Sequence, residues 1–361
     1  MGNRIVKIKI LKNILWKAIE ILPSIKIQIR WMMMGKYVIK RILYMVFVFF
    51  VMSILLFFLY NMIPSDPARA ELEPMKAQLK VEEYNKRYQD LRKQYGLDDP
   101  MIVRYGKWLG RLLQGDLGDS RVYKDKVVNV VQEPLKLTIF INIFAIIIGL
   151  AITIPLGIAC AVKKNSVFDQ VTQVLTVIGY SIPVFITALL FIYIFSVKLQ
   201  WFPVSGMRTA GKNYTGIKDT LDILKHIALP LIIMTVGSLG GMTRYVRAAM
   251  DDALSMDYIK TARAKGLKEK TVIYSHAWRN ALLPVVTLIV GWFMSIFSGS
   301  LIIESMFNLN GMGKFYIDAL NKKDYDLALA IQLFYIIITL LGNLITDLTY
   351  GLVDPRVRVE N

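Results

Sequence analysis

A basic segment with a central glycine is the part of this sequence best suited to a specific task. Acidic and hydroxyl side chains occur at Asp257 and Thr261, and Gly266 follows a run of good helix formers. Asp257 or Ser255 can cap a first helix, and glycine suits the left-handed residue that ends one. Glu269 then falls in the first turn of a second helix, where the helix dipole favours an acid. We therefore predict a helix, a glycine turn and a helix.

Such a hairpin, if joined stiffly to two membrane spans, can act as a lever. Long apolar runs flank it on both sides, so a push on the hairpin would tilt two helices. ATP hydrolysis needs a different pattern, because a phosphate loop has the form GxxxxGK followed by Ser or Thr. The glycine cluster at 311–315 (GMGKF) lacks both the spacing and the hydroxyl group. The chain is therefore predicted not to bind ATP in that way.

Other catalytic chemistry is also disfavoured by where the reactive side chains fall. His226 and His276 lie outside the apolar runs and, by the topology given below, on opposite membrane faces, so they cannot pair with a common nucleophile. Proton-coupled transport would need a carboxylate or histidine near the membrane centre, and none falls at mid-span. Glu304, Asp347 and Arg244 lie towards the ends of runs, and we interpret them as interfacial or interhelical hydrogen-bonding residues. An intramembrane enzyme and a secondary transporter are thus disfavoured.

Composition identifies the elements that must position this hairpin. Of 361 residues, 55% are hydrophobic although 44 are Lys or Arg, so the apolar residues must be clustered. A bilayer core needs roughly 20 apolar residues per helix, and the fourth run reaches that length if it includes Arg244 and Tyr245. Pro155, Pro183 and Pro230 inside the runs predict kinks. We predict an all-α integral membrane bundle of six transmembrane helices, over 42–63, 137–162, 171–197, 227–243, 280–303 and 327–346.

Lys and Arg set the predicted orientation. If both termini are cytoplasmic, the inside segments are richer in basic residues than the short outside ones. The long segment 64–134 is excluded from this comparison, because long loops cross largely regardless of charge. The loop 198–226 is basic and opposes the rule. The basic residues are thereby assigned to membrane topology, and nucleic acid is not a predicted partner.

Residues 1–33 form a basic amphipathic extension with two open interpretations. A helix of this kind can lie on an anionic membrane surface. Alternatively, the chain begins in the cell at Met34, and the preceding residues are read from an upstream start codon. The first long apolar run begins too late for a signal peptide, so residues 34–63 are predicted to remain as the first transmembrane helix. The single cysteine, Cys160, allows no intrachain disulfide and is interpreted as a packing residue.

The segment 64–134 is predicted to be an extracytoplasmic helical insertion. Apolar residues at spacings of three and four predict one amphipathic helix over 81–95. A second amphipathic helix follows, with Asp99 as its N-cap and Pro100 at its first position. The two helices are expected to cover the outer mouth of the bundle, with docking of a partner as the less favoured role. The apolar positions of the two stripes are Val81, Tyr84, Tyr88, Leu91 and Tyr95, then Tyr105, Trp108, Leu109 and Leu112.

The loop 261–266 (TARAKG), followed by 276–284 (HAWRNALLP), resembles the permeases of binding-protein-dependent ABC importers. The resemblance is to the branch that carries oligopeptides, dipeptides and nickel. It extends from residue 34 to about 358 and leaves out 1–33. Two departures from the general permease loop occur: Lys260 replaces the usual glutamate, and Gly266 lies farther than is common before Pro284. Further matching motifs lie at 63–68 (IPSDPA), 95–98 (YGLD), 115–118 (GDLG), 155–157 (PLG), 181–183 (SIP), 303–304 (IE), 311–313 (GMG) and 352–356 (LVDPR).

This resemblance implies that the loop, within 251–280, docks in a cleft of a cytoplasmic ATPase and passes on its movement. It also implies a permease core over 135–356 with a cytoplasmic tail at 357–361, in a bacterial or archaeal cell membrane. The implied partners are a second permease, two ATPases that bind ATP and magnesium, and an extracytoplasmic solute-binding protein. No cofactor is expected in this chain. The residues assigned to coupling are Asp257, Lys260, Thr261, Ala262, Arg263, Gly266 and Leu267.

Peptide is the favoured substrate and nickel is the alternative, because two histidines and one cysteine offer few strong nickel ligands. A pathway that passes varied side chains should be wide and mildly polar. Candidate lining residues are Asn61, Ser181, Thr187, Ser238, Ser295 and Ser298.

Overall fold

The computed structural model describes residues 23–63 and 66–353, so most of the 1–33 extension and the 357–361 tail lie outside the described residues. Most described residues are helical, and the strands among them form one antiparallel pair of two residues each. The first part comprises α1 Pro23–Met62, α2 Pro67–Leu72, α3 Val81–Gln94, α4 Met101–Leu113, β1 Asp119–Ser120, β2 Asp125–Lys126 and α5 Val127–Val130. The second comprises α6 Gln132–Val162, α7 Val167–Ser181, α8 Val184–Phe191, α9 Ile217–Ser255, α10 Asp257–Ala264, α11 Glu269–Thr271, α12 Trp278–Met294, α13 Leu301–Met306, α14 Met312–Asn321 and α15 Tyr325–Val353.

Five helical stretches in the described part are long and apolar enough to cross a membrane. A sixth crossing is available if the bent pair Val167–Ser181 and Val184–Lys198 counts as one span. The all-helical bundle of the sequence analysis is thereby confirmed. The five stretches are Tyr37–Met62, Val127–Val162, Ile217–Ser255, Glu269–Met306 and Tyr325–Thr349.

The third predicted span, 171–197, is not one continuous helix. Its two halves meet at 101°, and the break falls at Ile182, whose ψ of 124° is extended. Pro183 explains the break, because its ring disfavours the helical conformation of the preceding residue. Beyond α8, a π-helical stretch, Ile192–Lys198, completes the second half.

Two other span boundaries also differ from the prediction. The helix that contains the fourth predicted span, α9, covers Ile217–Ser255 and is much longer than the predicted 227–243. The reason is that the length of an apolar run marks only the lipid-facing part of a helix. The fifth predicted span, 280–303, stops early: α12 ends at Met294, a 3-10 turn follows, and α13 starts at Leu301. Asn142 of α6 accounts for this interruption, because its amide donates to the carbonyls of Ile296 and Ser298, both at 2.9 Å.

Glycine allows α9 to pack closely on two neighbours. A Cβ at Gly157 of α6 would lie 2.7 Å from the Val246 Cβ, and one at Gly240 of α9 would lie 2.5 Å from the Thr176 carbonyl oxygen. Neither clash can be relieved by a flexible side chain. The helices α6, α7 and α9 therefore form the closely packed centre of the bundle.

The outer insertion contains both predicted helices. α4 starts one residue later than expected: Pro100 takes the cap position, and the Asp99 carboxylate binds the Lys107 ammonium at 2.7 Å instead of capping the helix. The stripe on α4 packs as predicted, since Tyr105 and Trp108 contact the buried Phe57 of α1. The α3 stripe buries less than expected, because no α3 residue is buried and Val81 is 77% exposed.

Candidate coupling hairpin and translocation cavity

The hairpin at 257–277 is built around Gly266. Its φ of +73° is the left-handed conformation predicted from the sequence. The Gly266 amide donates to the Arg263 carbonyl at 2.9 Å and the Leu267 amide to the Ala262 carbonyl at 3.3 Å. These two bonds form a Schellman motif, which satisfies carbonyls that the helix end leaves free. The turn therefore has one defined backbone geometry.

An ion pair holds the two sides of this turn together. The Arg263 guanidinium binds the Glu269 carboxylate through both oxygens, at 3.2 and 2.6 Å. Both side chains are about half exposed, so the pair contributes at most about 1 kcal/mol. Its planar geometry matters more than its energy, because a bidentate pair fixes the direction in which the second helix leaves the turn.

The inner face of the hairpin is buried against the bundle. Ile259, Val272 and Ala277 are fully buried, in one apolar cluster with Met250 of α9 and Ile158 of α6. Protein interiors are closely packed and transmit displacement. A push on the hairpin would therefore reach three long helices, α6, α9 and α12.

The outer face carries most of the residues assigned to coupling. Asp257, Lys260, Thr261, Gly266 and Leu267 are exposed, together with Arg263, and are available to a partner. Ala262 is the exception: it is 6% exposed and lies in the apolar cluster, so its role is packing within the hairpin.

The predicted cap of the first helix of the hairpin is wrong. Met256 occupies the cap position without a side-chain hydrogen bond, and the Ser255 hydroxyl donates to the Asp252 carbonyl. Asp257 is the first helical residue and pairs with Lys260 at 2.8 Å. Since α9 continues to Ser255 and α10 begins at Asp257, only Met256 separates the two helices.

Sequence reasoning missed a buried ion pair between α7 and α9. Asp169 at the start of α7 is 2% exposed and binds the Arg247 guanidinium of α9 through both oxygens, each at 2.6 Å. The Asn165 amide donates to the same carboxylate at 3.0 Å. Asp169 and Arg247 lie far apart in the chain. Nothing in the sequence around either residue links it to the other, so the sequence did not indicate the pair.

Glu304 joins two turns at the other end of the bundle. It is 4% exposed and accepts bonds from the Thr138 hydroxyl and from the Gly313 and Lys314 amides at the start of α14. A carboxylate is favoured there by the helix dipole. A Cβ at Gly311 would lie 2.5 Å from this carboxyl group, which explains a glycine at that position. Interhelical hydrogen bonding, as interpreted from the sequence, is thus what Glu304 does.

A cavity of about 530 Å³ opens between α6, α7, α9 and α12. Two of the predicted pathway residues, Ser238 and Ser295, line it. So do Gly237 and Gly241 of α9, where an added Cβ would meet nothing within 4 Å. These glycines are not required by packing within the described chain, and they widen the cavity between the side chains of Met234, Ser238 and Tyr245. Other lining residues are Asn142, Tyr180, Met234, Tyr245, Leu288 and Trp292.

The remaining pathway candidates lie elsewhere. Asn61 lines a second, outer cavity and accepts from the Arg104 guanidinium at 2.5 Å. Ser181, Thr187 and Ser298 line neither cavity. Asn142, which was not predicted, both lines the central cavity and holds the α12 break, and a lone asparagine in an apolar run was the available signal.

Comparison with known proteins agrees with this architecture. Residues 153–359 match the family model described as binding-protein-dependent transport system inner membrane component, and residues 33–139 match the N-terminal model of the corresponding membrane components. The chain belongs to this family. It is therefore a multi-pass membrane permease of an ABC importer, a transport component and not an enzyme. Permeases of such importers work with a separate ATPase and a substrate-binding protein.

Similar curated proteins extend over nearly the whole permease. A putative peptide permease of Brucella suis is 36% identical over 327 residues, covering 90% of this chain and all of the relative. The oligopeptide transport system permease AppB of Bacillus subtilis is 35% identical over 325 residues, covering 90% and 99%. The glutathione transport system permease GsiC of Escherichia coli K12 is 34% identical over 331 residues, covering 91% and all of the relative.

Proposed function

We propose that this permease forms, with a second permease, the pathway for peptide uptake and couples it to ATP hydrolysis by two partner ATPases. The observation that supports this best is the hairpin at 257–277: its outer face is exposed, and its inner face is packed on the helices that line the central cavity. A partner bound to the outer face would move the walls of that cavity. In this mechanism the cavity opens alternately to each side of the membrane.

Peptide is the proposed substrate class. The similar proteins named as peptide, oligopeptide and glutathione permeases support it. The cavity suits varied side chains, because serines, an asparagine and open glycines line it beside Tyr180, Tyr245 and Trp292.

The proposed assembly has both termini in the cytoplasm of a bacterial or archaeal cell. An extracytoplasmic binding protein delivers the peptide, and ATP and magnesium bind to the ATPases. The distribution of Lys and Arg supports this orientation. In it, the hairpin faces the cytoplasm and the insertion between α1 and α6 faces outward.

Uptake by whole cells tests the proposal. Labelled trialanine and labelled nickel would be supplied to cells with the complete importer, to cells lacking this subunit, and to cells with the subunit restored from a plasmid. We expect peptide uptake to be lost and restored with nickel uptake constant. Loss of nickel uptake alone would contradict the substrate class, and no loss of either would contradict importer function for these substrates.

Filling the cavity should block transport without unfolding the permease. Gly241→Leu places a side chain in open space along α9, so we expect uptake to fall about tenfold or more while membrane abundance stays normal. Gly291→Leu is the matched control, because that glycine also has nothing within 4 Å but does not line the cavity. Equal uptake by the two variants would show that the cavity is not on the pathway.

A further inference from the structure

A second cavity, of about 1370 Å³, lies in the outer insertion. It is bounded by the end of α1, by α2, α3 and α4, by the strand pair, and by the start of α15. α6 runs from the insertion to the cluster around the coupling hairpin, so this cavity lies at the opposite end of the bundle from the hairpin. It is separate from the central cavity, since the two share no lining residue.

Three of the seven Lys and Arg side chains that line this outer cavity have acidic partners. Arg92 binds Asp66 and Asp98, at 3.2 and 2.6 Å. The Lys107 ammonium pairs with Asp99, and Arg121 pairs with Asp326, both at 2.7 Å. Lys93, Arg111 and Lys124 form no ion pair among the described residues, but all three are exposed to solvent.

Arg104 differs from them. It is half-buried, and its guanidinium donates to the amide oxygen of Asn61, a neutral group. Within residues 23–63 and 66–353, no carboxylate forms an ion pair with it. Burial lowers the pKa of Arg104, and the more distant Asp326 and Asp99 act in the opposite direction. A guanidinium in such a place gains more from an incoming anion than an exposed one does.

The backbone of α4 is also open to this cavity. Gly106 and Gly110 both line the cavity, and an added Cβ at either would meet nothing within 4 Å. Glycine in a helix interior is destabilising relative to alanine, yet nothing in the described chain needs the space. The two glycines widen the cavity around α4.

The walls fit a short peptide better than a lone anion. Tyr60, Trp108 and Leu329 offer apolar and aromatic surface, and Glu71 and Asp119 are carboxylates that form no ion pair among the described residues. A zwitterionic peptide presents a carboxylate, apolar or polar side chains, and an ammonium. All three have complementary groups in this cavity.

We propose that the outer cavity is an entry site for short peptides, in which Arg104 binds the C-terminal carboxylate. This inference rests on the proposed peptide substrate and adds a second site, before the central cavity, on the side from which the peptide arrives. The recessed position of Arg104 favours a slender chain end over the surface of a folded protein, which would meet the exposed Lys93 and Arg111 first.

Binding of labelled trialanine and of its C-terminal amide to the membrane complex, purified through this chain without binding protein or nucleotide, tests the site. We expect amidation to weaken binding to the wild type about tenfold, and Arg104→Gln to weaken trialanine binding by a similar factor. Amidation should have no further effect on the Arg104→Gln complex, because the two changes remove one interaction. Arg87→Gln is the matched control, since Arg87 pairs with Glu83 on the exposed side of α3 and does not line the cavity.

Other results would overturn the proposal. They are equal binding of acid and amide by the wild type, or additive effects of amidation and Arg104→Gln. A third is unchanged peptide binding by the Arg104→Gln complex together with weaker association of the binding protein, measured in a separate titration with that protein added. The last would identify a docking surface instead. If Arg104→Gln does not assemble, Gly110→Leu places a side chain in the same cavity without altering a charge and must reduce trialanine binding. Uptake by wild-type cells is measured separately, so failure of this site and failure of peptide transport are distinguishable.

Discussion

Replacement of Gly266 by proline should abolish peptide uptake while the subunit remains in the membrane. Proline fixes φ near −65° and has no amide hydrogen, whereas Gly266 has φ +73° and donates to the Arg263 carbonyl. A free-energy cost of about 3 kcal/mol or more would reduce the population of the intact hairpin roughly a hundredfold. The experiment measures peptide uptake, membrane abundance and the amount of ATPase that copurifies with the permease. We expect peptide uptake and copurified ATPase to fall and membrane abundance to stay the same.

Gly211→Pro provides the control for this experiment. Gly211 has nearly the same backbone conformation, φ +74°, and its surroundings are open, but it lies in the loop between α8 and α9, far from the hairpin in the chain. We expect this variant to keep most of its uptake. Normal uptake by Gly266→Pro would refute the coupling role of the turn, and equal loss by both variants would point to general damage by proline.

Replacement of Asp169 by alanine should cause the largest loss of stability. It leaves the Arg247 guanidinium facing a buried site without its carboxylate. Removal of one partner of a buried pair costs several kcal/mol, and because Arg247 retains 22% exposure we expect about 3 kcal/mol. Thermal unfolding of the purified complex in detergent, together with abundance in membranes, measures the effect.

Two further variants separate this ion pair from its surroundings. Asp251→Ala removes a neighbouring pair, with Lys164, in which the lysine is 51% exposed, and should cost at most about 1 kcal/mol. The double variant Asp169→Ala with Arg247→Ala should be more stable than Asp169→Ala alone, since no unpaired charge is left. Similar unfolding temperatures for Asp169→Ala and Asp251→Ala would show that the buried pair contributes little.

Local rules predicted the hairpin well because its geometry is local. Only glycine adopts a left-handed conformation without strain, so Gly266 identified the turn in advance, and Glu269 marked the start of the second helix. The same rules failed for the caps. Asp99 and Asp257 have the right residue type, but each carboxylate binds a nearby lysine, Lys107 and Lys260, so side-chain pairing competed with capping.

The lining of the central cavity was harder to predict than the hairpin. A serine or threonine in an apolar run carries no information about which neighbour it faces, so Ser238 and Ser295 reached the cavity while Ser181 and Thr187 did not. The break at Ile182 turns α8 away from α7, and the break after Met294 redirects the chain before Ser298. Each break reorients every residue that follows it.

The sequence by itself determined the helical bundle, most of its spans, the glycine turn of the hairpin and membership of the permease family. These features follow from apolar run length, backbone preference and contiguous motifs, all of which act over a few neighbouring residues. The tertiary structure alone decided which side chains meet. Asp169 and Arg247, Asn142 and the α12 break, and Arg104 in its outer cavity are brought together by helix packing, because contact between residues far apart in the chain depends on how whole helices are arranged.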